Sequence, residues 1–332
     1  MRGLPCQGRQ PPSLTPAPHA GGSDGRRPRL ASSPHLPSGV SPRHPFLLVA
    51  DGLSPGNLLS EGSGSVTTMA TLVSFHAHPD DECIACGGII RKAAEEGHRV
   101  VLVVATRGEH GEVAEGFLNP GEELWQRRVA ETHASAAVLG AQRVEFLGYV
   151  DSGMMGTPAN DAPGSFWTAP VDEAAKKLAA LLDEERADVL TCYDEHGGYG
   201  HPDHIQVHRV GLRAAELAGT RRVYQSTINR DHILRGRAFF AGQDGAADIE
   251  APEIEEESFG LPESVITAAV DVTPYLEYKR RAMRAHASQI SEQSFFLAMP
   301  DEAFAYGFGT EWFIRERQGP GITETDLLAG LD

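Results

Sequence analysis

The chain reads as an α/β protein, a doubly wound, mainly parallel sheet with helices on both faces. Three observations predict this. From residue 69 onward, strand-like apolar runs alternate with helix-length amphipathic runs, the pattern of consecutive βαβ units. The strand-like runs are apolar along their whole length, as strands covered on both faces must be. At 332 residues with 41% hydrophobic and 23% charged side chains, the chain can bury a large core without disulfides or a structural metal.

The elements follow in order. Thr71–Ala77 and Arg99–Thr106 are nearly continuous apolar strands, with a helix over Glu82–Glu96 between them. Glu122–Leu139 has helical periodicity and stops at Gly140, which can adopt the left-handed conformation that ends helices. Arg143–Tyr149 is a third strand, Val171–Arg186 an amphipathic helix, Asp188–Tyr193 a fourth strand and Pro202–Leu217 a helix with proline in its first turn. Val223–Ile228 and Val265–Val272 are further strands, and Pro274–Ile290 a further helix. Residues 241–262, rich in glycine and acidic residues, predict an exposed loop.

Residues 1–68 stand apart. They hold 11 of the 22 prolines and no hydrophobic periodicity, so they cannot bury enough apolar surface to offset their ordering entropy, and disorder is expected. Met69 stands directly before the first strand, which leaves open whether the preceding segment is a genuine tail or a start read too far upstream. The domain expected to fold is 69–332.

Formal net charge is -17, against a nucleic-acid partner, which needs a basic face. Four cysteines, Cys6, Cys83, Cys86 and Cys192, are too few for a disulfide scaffold and point to a reducing cytoplasm. Cys83 and Cys86 form a CxxC on the first turn of a helix, where small buried thiols are the expected outcome. No apolar run approaches the roughly 18 residues of a membrane helix. From residue 69 onward a GxGxxG after a strand, a GxSxG elbow and a Walker loop are all missing, which disfavours dinucleotide, serine-hydrolase and nucleotide chemistry.

Two segments carry the chemistry. The first strand runs into His76-Ala77-His78-Pro79-Asp80-Asp81-Glu82, and the fourth into Tyr193-Asp194-Glu195-His196-Gly197-Gly198-Tyr199-Gly200-His201-Pro202-Asp203-His204. Each follows a strand and opens a helix, so both lie at the carboxyl edge of a parallel sheet, where ligands bind. Imidazole and carboxylate both ligate Zn²⁺, and His78/Asp81 and His201/His204 are each three apart, a spacing that aims two side chains at one point. Three protein ligands and a water make a catalytic zinc site, although Fe²⁺ or another divalent ion suits the same donors. Asp80 beside Asp81 is placed to take a proton from water. His201 can stabilise an oxyanion or protonate a leaving amine, with Asp203 orienting it by accepting a ring N–H.

At these residues the sequence resembles the PIG-L, or LmbE-like, family of zinc-dependent N-deacetylases. The resemblance rests on the AHPDDE segment, Ala77–Glu82, and on GGYGHPDH, Gly197–His204, and extends over about residues 70–315. It looks closest to the actinobacterial mycothiol branch, whose members cleave either the acetamide of an N-acetylglucosaminyl-inositol or the amide of a mycothiol S-conjugate. The resemblance implies that His78, Asp81 and His204 bind zinc, that Asp80 is the general base, and that His201 is the electrophilic or acid partner backed by Asp203. It also implies that Tyr199 hydrogen-bonds the oxyanion and that Asp151, in the segment Tyr149–Met154, contacts sugar hydroxyls. The partner is then a small amino-sugar conjugate. A non-catalytic metal- or sugar-binding protein on the same fold is the alternative, and the retained Asp80 weighs against it.

Two further features are ambiguous in sequence. Arg107, in the segment after the second strand, is a candidate substrate contact or a solvated turn residue. The aromatics Phe295, Phe296, Phe304, Tyr306, Phe308 and Trp312 either cap a pocket or fill a C-terminal core, and burial tendencies favour the core.

Overall fold

The computed structural model describes residues 69–240 and 259–331. The disorder expected for residues 1–68, and most of the loop expected over 241–262, fall outside them.

The strands are β1 (Thr71–His76), β2 (Arg99–Thr106), β3 (Arg143–Tyr149), β4 (Val189–Tyr193), β5 (Arg222–Thr227), β6 (Ala268–Asp271) and β7 (Thr310–Arg315). They form one sheet in the order β3-β2-β1-β4-β5-β7-β6. From β3 to β5 every pairing is parallel, whereas β7 runs antiparallel to both β5 and β6. The helices are α1 (Asp81–Ala85), α2 (Gly87–Glu95), α3 (Leu124–Leu139), α4 (Val171–Glu185), α5 (Pro202–Ala218), α6 (Arg230–Phe240), α7 (Leu276–Ala285), α8 (Phe295–Ala298) and α9 (Asp301–Phe308).

Alternation along the buried strands divides the core into two layers. Leu72 and Val100 face Ile89, Ile90, Ala282 and Met283 of α2 and α7, while Val73, Phe75, Val101 and Val103 face Leu178, Leu182, Val207 and Val210 of α4 and α5. That two-sided burial is why β2 is apolar without a break from Val100 to Ala105. The order reverses at β1: the chain winds outward through β2 and β3, then returns to the other side of β1 as β4. The loops leaving β1 and β4 therefore diverge at the carboxyl edge and leave a crevice between them.

The structure corrects several sequence boundaries. The helix expected over Glu82–Glu96 is two helices, broken at Cys86, whose backbone sits at φ -132°, ψ 9°. Glu311 on β7 accepts from the backbone N–H groups of Gly88 and Ile89 at 2.7 and 2.8 Å, supplying α2 with its own N-terminal cap. Gly88 allows the approach, because a Cβ there would lie 2.3 Å from Cβ of Val272. The last expected helix ends at Ala285 rather than Ile290, and the strand expected from Val265 is the shorter β6. Cys83 and Cys86 are fully buried and unpaired, as their place on the helix suggested.

Gly88→Ala puts a methyl group against Val272 and is expected to destabilise the fold by about 1–3 kcal/mol. Denaturant unfolding would show a lower midpoint with an unchanged slope; an unchanged midpoint would mean that α2 shifts freely against residue 272.

Candidate active site

The carboxyl edge between β1 and β4 brings the two motifs together. After β1 the chain turns at Asp80, whose φ of 94° puts a non-glycine residue in the left-handed region. The turn is held on several sides. Asp80 N–H donates to Glu82 Oε2 at 3.0 Å, its carbonyl accepts from the backbone N–H of Cys83 and Ile84, and its carboxylate meets Nη2 of Arg128 at 3.2 Å. After β4, Asp194 shapes the second loop: Oδ1 accepts from the N–H groups of His196 and Gly198, and Oδ2 accepts from the Thr227 hydroxyl at 2.6 Å. His201 then caps α5, with Pro202 in its first turn and His204 one residue past Asp203.

Three atoms converge from these loops. Nδ1 of His78 is 3.4 Å from Oδ2 of Asp81 and 3.3 Å from Nε2 of His204, and Nε2 of His204 is 3.3 Å from Oδ2 of Asp81. Donors about 2.0–2.1 Å from a tetrahedral Zn²⁺ stand roughly 3.3–3.4 Å apart, so the triangle fits one face of that coordination shell. The hydrogen bonds behind the rings set which nitrogens carry protons. His204 Nδ1 faces the carbonyl of Gly197 at 3.2 Å and donates to it, leaving Nε2 as a lone pair. The carbonyl comes this close because residue 197 is glycine: a Cβ there would lie 2.4 Å from that of His204. His78 Nε2 faces Asp203 Oδ2 at 3.1 Å and donates to it, leaving Nδ1 as a lone pair. Two lone pairs and a carboxylate oxygen thus point at one spot, an arrangement that calls for a cation.

The same groups compete for a proton, which a cation held in the triangle displaces from His78 Nδ1. Burial alone would lower the pKa of His78, but hydrogen bonds to Asp151, Asp203 and Asp81 prevail and raise it well above the usual histidine range. Burial would raise Asp81, and His204 and His78 instead pull it well below the usual carboxylate range. Asp80 differs: burial outweighs the Arg128 guanidinium, and its pKa rises to about 6.

His201 is built differently from the two histidines of the triangle. A ring nitrogen of His201 lies within 4.8 Å of ring nitrogens of His78 and His204. However, its Nδ1 accepts from the backbone N–H of Asp203 at 3.2 Å, so in the neutral ring Nε2 carries the proton. Burial and the charges of His78 and His204 lower its pKa to about 4, keeping the ring neutral. His201 therefore offers a donor where His78 and His204 offer lone pairs. Tyr199, 43% exposed, places its hydroxyl 3.4 Å from His204 Nε2.

The family described as PIG-L: GlcNAc-PI de-N-acetylase matches residues 73–215. A protein of Acidothermus cellulolyticus, named 1D-myo-inositol 2-acetamido-2-deoxy-alpha-D-glucopyranoside deacetylase, is 39% identical over 79% of this chain and 95% of its own. A protein of the same name from Streptomyces avermitilis is 40% identical over 78% of this chain and 97% of its own. The chain belongs to the PIG-L family.

Within this PIG-L site the supporting carboxylates meet partners of their own. The Asp203 carboxylate does not orient His201: its oxygens go to His78, to the N–H of Ser152 at 2.8 Å and to the Ser152 hydroxyl, and only its backbone N–H touches His201. Asp151 is 5% exposed, and its oxygens go to the N–H groups of Gly153 and His110, with His78 Nε2 3.5 Å away. It buttresses the His78 ring. Arg107 remains available: Nε bonds Glu109 at 2.9 Å, the guanidinium lies over Trp125 at 4.2 Å, and its terminal nitrogens have no hydrogen bond among the described residues.

Sequence reasoning missed the supporting groups. Arg128 is 4% exposed and ties three points together, donating to the carbonyls of Gly108 and Pro79 as well as to Asp80. Glu82 is fully buried between His286, at 2.6 Å, and the Ser135 hydroxyl. Arg128, Glu131, Thr132 and Ser135 form a polar stripe at helical spacing on the buried side of α3, a signal visible in the sequence because a core-facing stripe should be apolar.

Asp203→Ala removes the acceptor that fixes the His78 tautomer. It is expected to weaken divalent-metal affinity about 10–100-fold. Competition of Zn²⁺ against a chelating dye measures this, and unchanged affinity would show that the ring is oriented without the carboxylate.

Proposed function

We propose that this chain hydrolyses the N-acetyl group from an N-acetylglucosamine-type conjugate, such as N-acetylglucosaminyl-inositol, with Zn²⁺ held by His78, Asp81 and His204. The observation that carries the reading is the triangle of two lone-pair nitrogens and a carboxylate oxygen beside Asp80. The names of relatives matched along most of both chains support the choice of substrate.

A divalent ion held there supplies Lewis acidity, so that water loses a proton near neutral pH and an amide carbonyl becomes more electrophilic. The chain's own groups do the rest. Asp80, with a pKa near 6, is ionised at neutral pH and takes a proton from the attacking water. As water oxygen bonds to the acetyl carbon, the carbonyl oxygen gains charge, and His201 Nε2–H and the Tyr199 hydroxyl donate to it. The C–N bond then breaks, and Asp80 returns its proton to the nitrogen, releasing acetate and a free amine. Asp80 is a better proton source than His201, whose neutral ring has none to spare near pH 7. Arg107 offers donors to the hydroxyls of the sugar.

A cytoplasmic setting fits the three described cysteines, all free. No helix among the described residues is long and apolar enough to cross a membrane.

The test is amine release from a panel of N-acetylated glucosamine compounds that includes an inositol glycoside and a thiol conjugate. Release from the wild type should depend on metal, and Asp80→Ala should lower kcat about 10²–10⁴-fold while metal content stays the same. Equal activity in Asp80→Ala, or no release from any compound, would overturn the reading. Arg128→Gln frees the Asp80 turn and should lower kcat more than it changes KM, with Arg128→Lys intermediate; a loss confined to KM would place Arg128 in substrate binding instead.

A further inference from the structure

Asp80 borders a cavity of about 880 Å³ together with Asp81, Tyr199 and His204. Of the six aromatics that sequence reasoning weighed between core and pocket, only Phe304 is buried core at 1% exposure, and the other five line this space. The backbone of Asp80 is held from within the protein instead, by Glu82 and, through Glu82, by Ser135 and His286. These three side chains are fully buried, and none of them lines the cavity.

The route from His286 to the turn is short. Asp80 N–H donates to Oε2 of Glu82 at 3.0 Å, while the Ser135 hydroxyl and His286 Nε2, the latter at 2.6 Å, donate to Oε1. No lysine or arginine pairs with Glu82 among the described residues, so these donors replace the water that the carboxylate loses on burial. Without the imidazole, Glu82 keeps two donors and must shift to recover a third. That shift loosens the bond to Asp80 N–H, which fixes the peptide plane entering the left-handed turn. The His286 ring makes no second hydrogen bond: Nδ1 is buried with no partner among the described residues. A buried imidazole with one nitrogen unsatisfied is a poor filler, which points to a use for the nitrogen that is bonded. His286 follows α7 and is anchored by its neighbours. Ser288 donates to Glu131 through its N–H at 2.9 Å and its hydroxyl at 2.6 Å, and Gln289 Nε2 donates to the Glu112 carbonyl at 3.1 Å. Glu131 lies on the same helix as Arg128, which grips the Asp80 carboxylate.

Resting on the deacetylase reading, we propose that His286, which lies beyond residues 73–215 matched by the family model, is a positioning residue for the base: through Glu82 it holds the Asp80 backbone in the left-handed turn and so aims the carboxylate at the attacking water. Loss of that bond slows the chemical step, because a reacting group misplaced by about 1 Å can cost 10²-fold in rate. The metal triangle has supports of its own in Asp203 and the Gly197 carbonyl, so metal affinity persists.

The experiment measures kcat and KM for amine release from N-acetylglucosaminyl-inositol, together with Zn²⁺ affinity and the thermal unfolding midpoint, in wild type, His286→Gln and His286→Asn. Both variants are neutral and carry an NH₂ donor, but only glutamine is long enough to set it near the place of Nε2, within reach of Glu82. His286→Asn should lower kcat about 10–100-fold per zinc-loaded enzyme with KM and Zn²⁺ affinity unchanged, and His286→Gln should recover most of the rate. Ser135→Ala removes another donor from the same carboxylate oxygen and should lower kcat in the same way but by less. If His286→Asn does not fold, Ser135→Ala decides: a kcat equal to wild type then overturns the proposal. Equal kcat in wild type and His286→Asn, an equal loss in the Asn and Gln variants, or a loss confined to KM or to Zn²⁺ affinity would also overturn it while leaving the deacetylase reading intact. No amine released by the wild type would overturn both.

Discussion

The arrangement depends on the pairing of β1 with β4. Leu72, Val73 and Ser74 register against Val189, Leu190 and Thr191, so chain segments 117 residues apart leave the sheet side by side. Buried hydrogen bonds fix that register: Ser74 with Thr191 at 2.7 Å, Ser74 with His76 at 2.8 Å and His76 with Tyr193 at 2.8 Å. A slip of one residue would break the two bonds that cross between the strands, Ser74–Thr191 and His76–Tyr193, and turn His76 to the opposite face. Tyr193 carries the constraint upward, stacking on His204 at 4.7 Å and 23°. Strand register thus sets the positions of the metal-facing atoms.

Above the strands, the site gathers more carboxylates than ordinary solvation would tolerate, and the fold assigns each a neighbour. Asp203 and Asp151 hold His78, Glu82 meets His286, and Arg128 reaches Asp80. These pairings divide labour among similar groups. A carboxylate flanked by imidazoles stays ionised, and one whose burial outweighs its guanidinium partner can carry a proton near neutrality.

Much of this was legible in the sequence, and the failures have physical causes. The parallel strands announced themselves because both faces are buried, and the two motifs because histidine and aspartate at short spacing beside a strand end have few structural uses. β7 was missed: it is short, begins straight after a glycine, and turns one side to the core through Phe313 and the other to a cavity through Trp312. α6 was missed because arginines interrupt its apolar spacing. Asp203 was correctly singled out as a supporting carboxylate but assigned to the wrong ring, since sequence does not show which of two histidines a side chain reaches. Arg128 and His286 lie alone on distant helices, and only folding brings them to Asp80 and Glu82.

The left-handed backbone of Asp80 has a consequence for how such a chain can change over generations. An L-residue in that region carries about 1–2 kcal/mol of strain that glycine does not. A single substitution to glycine would relieve that strain and abolish the base together, giving a sturdier protein with an inert cleft. Drift toward stability therefore runs directly against catalysis at this position. Among descendants of such a chain, the residue at this turn would separate those that still turn over substrate from those that only bind.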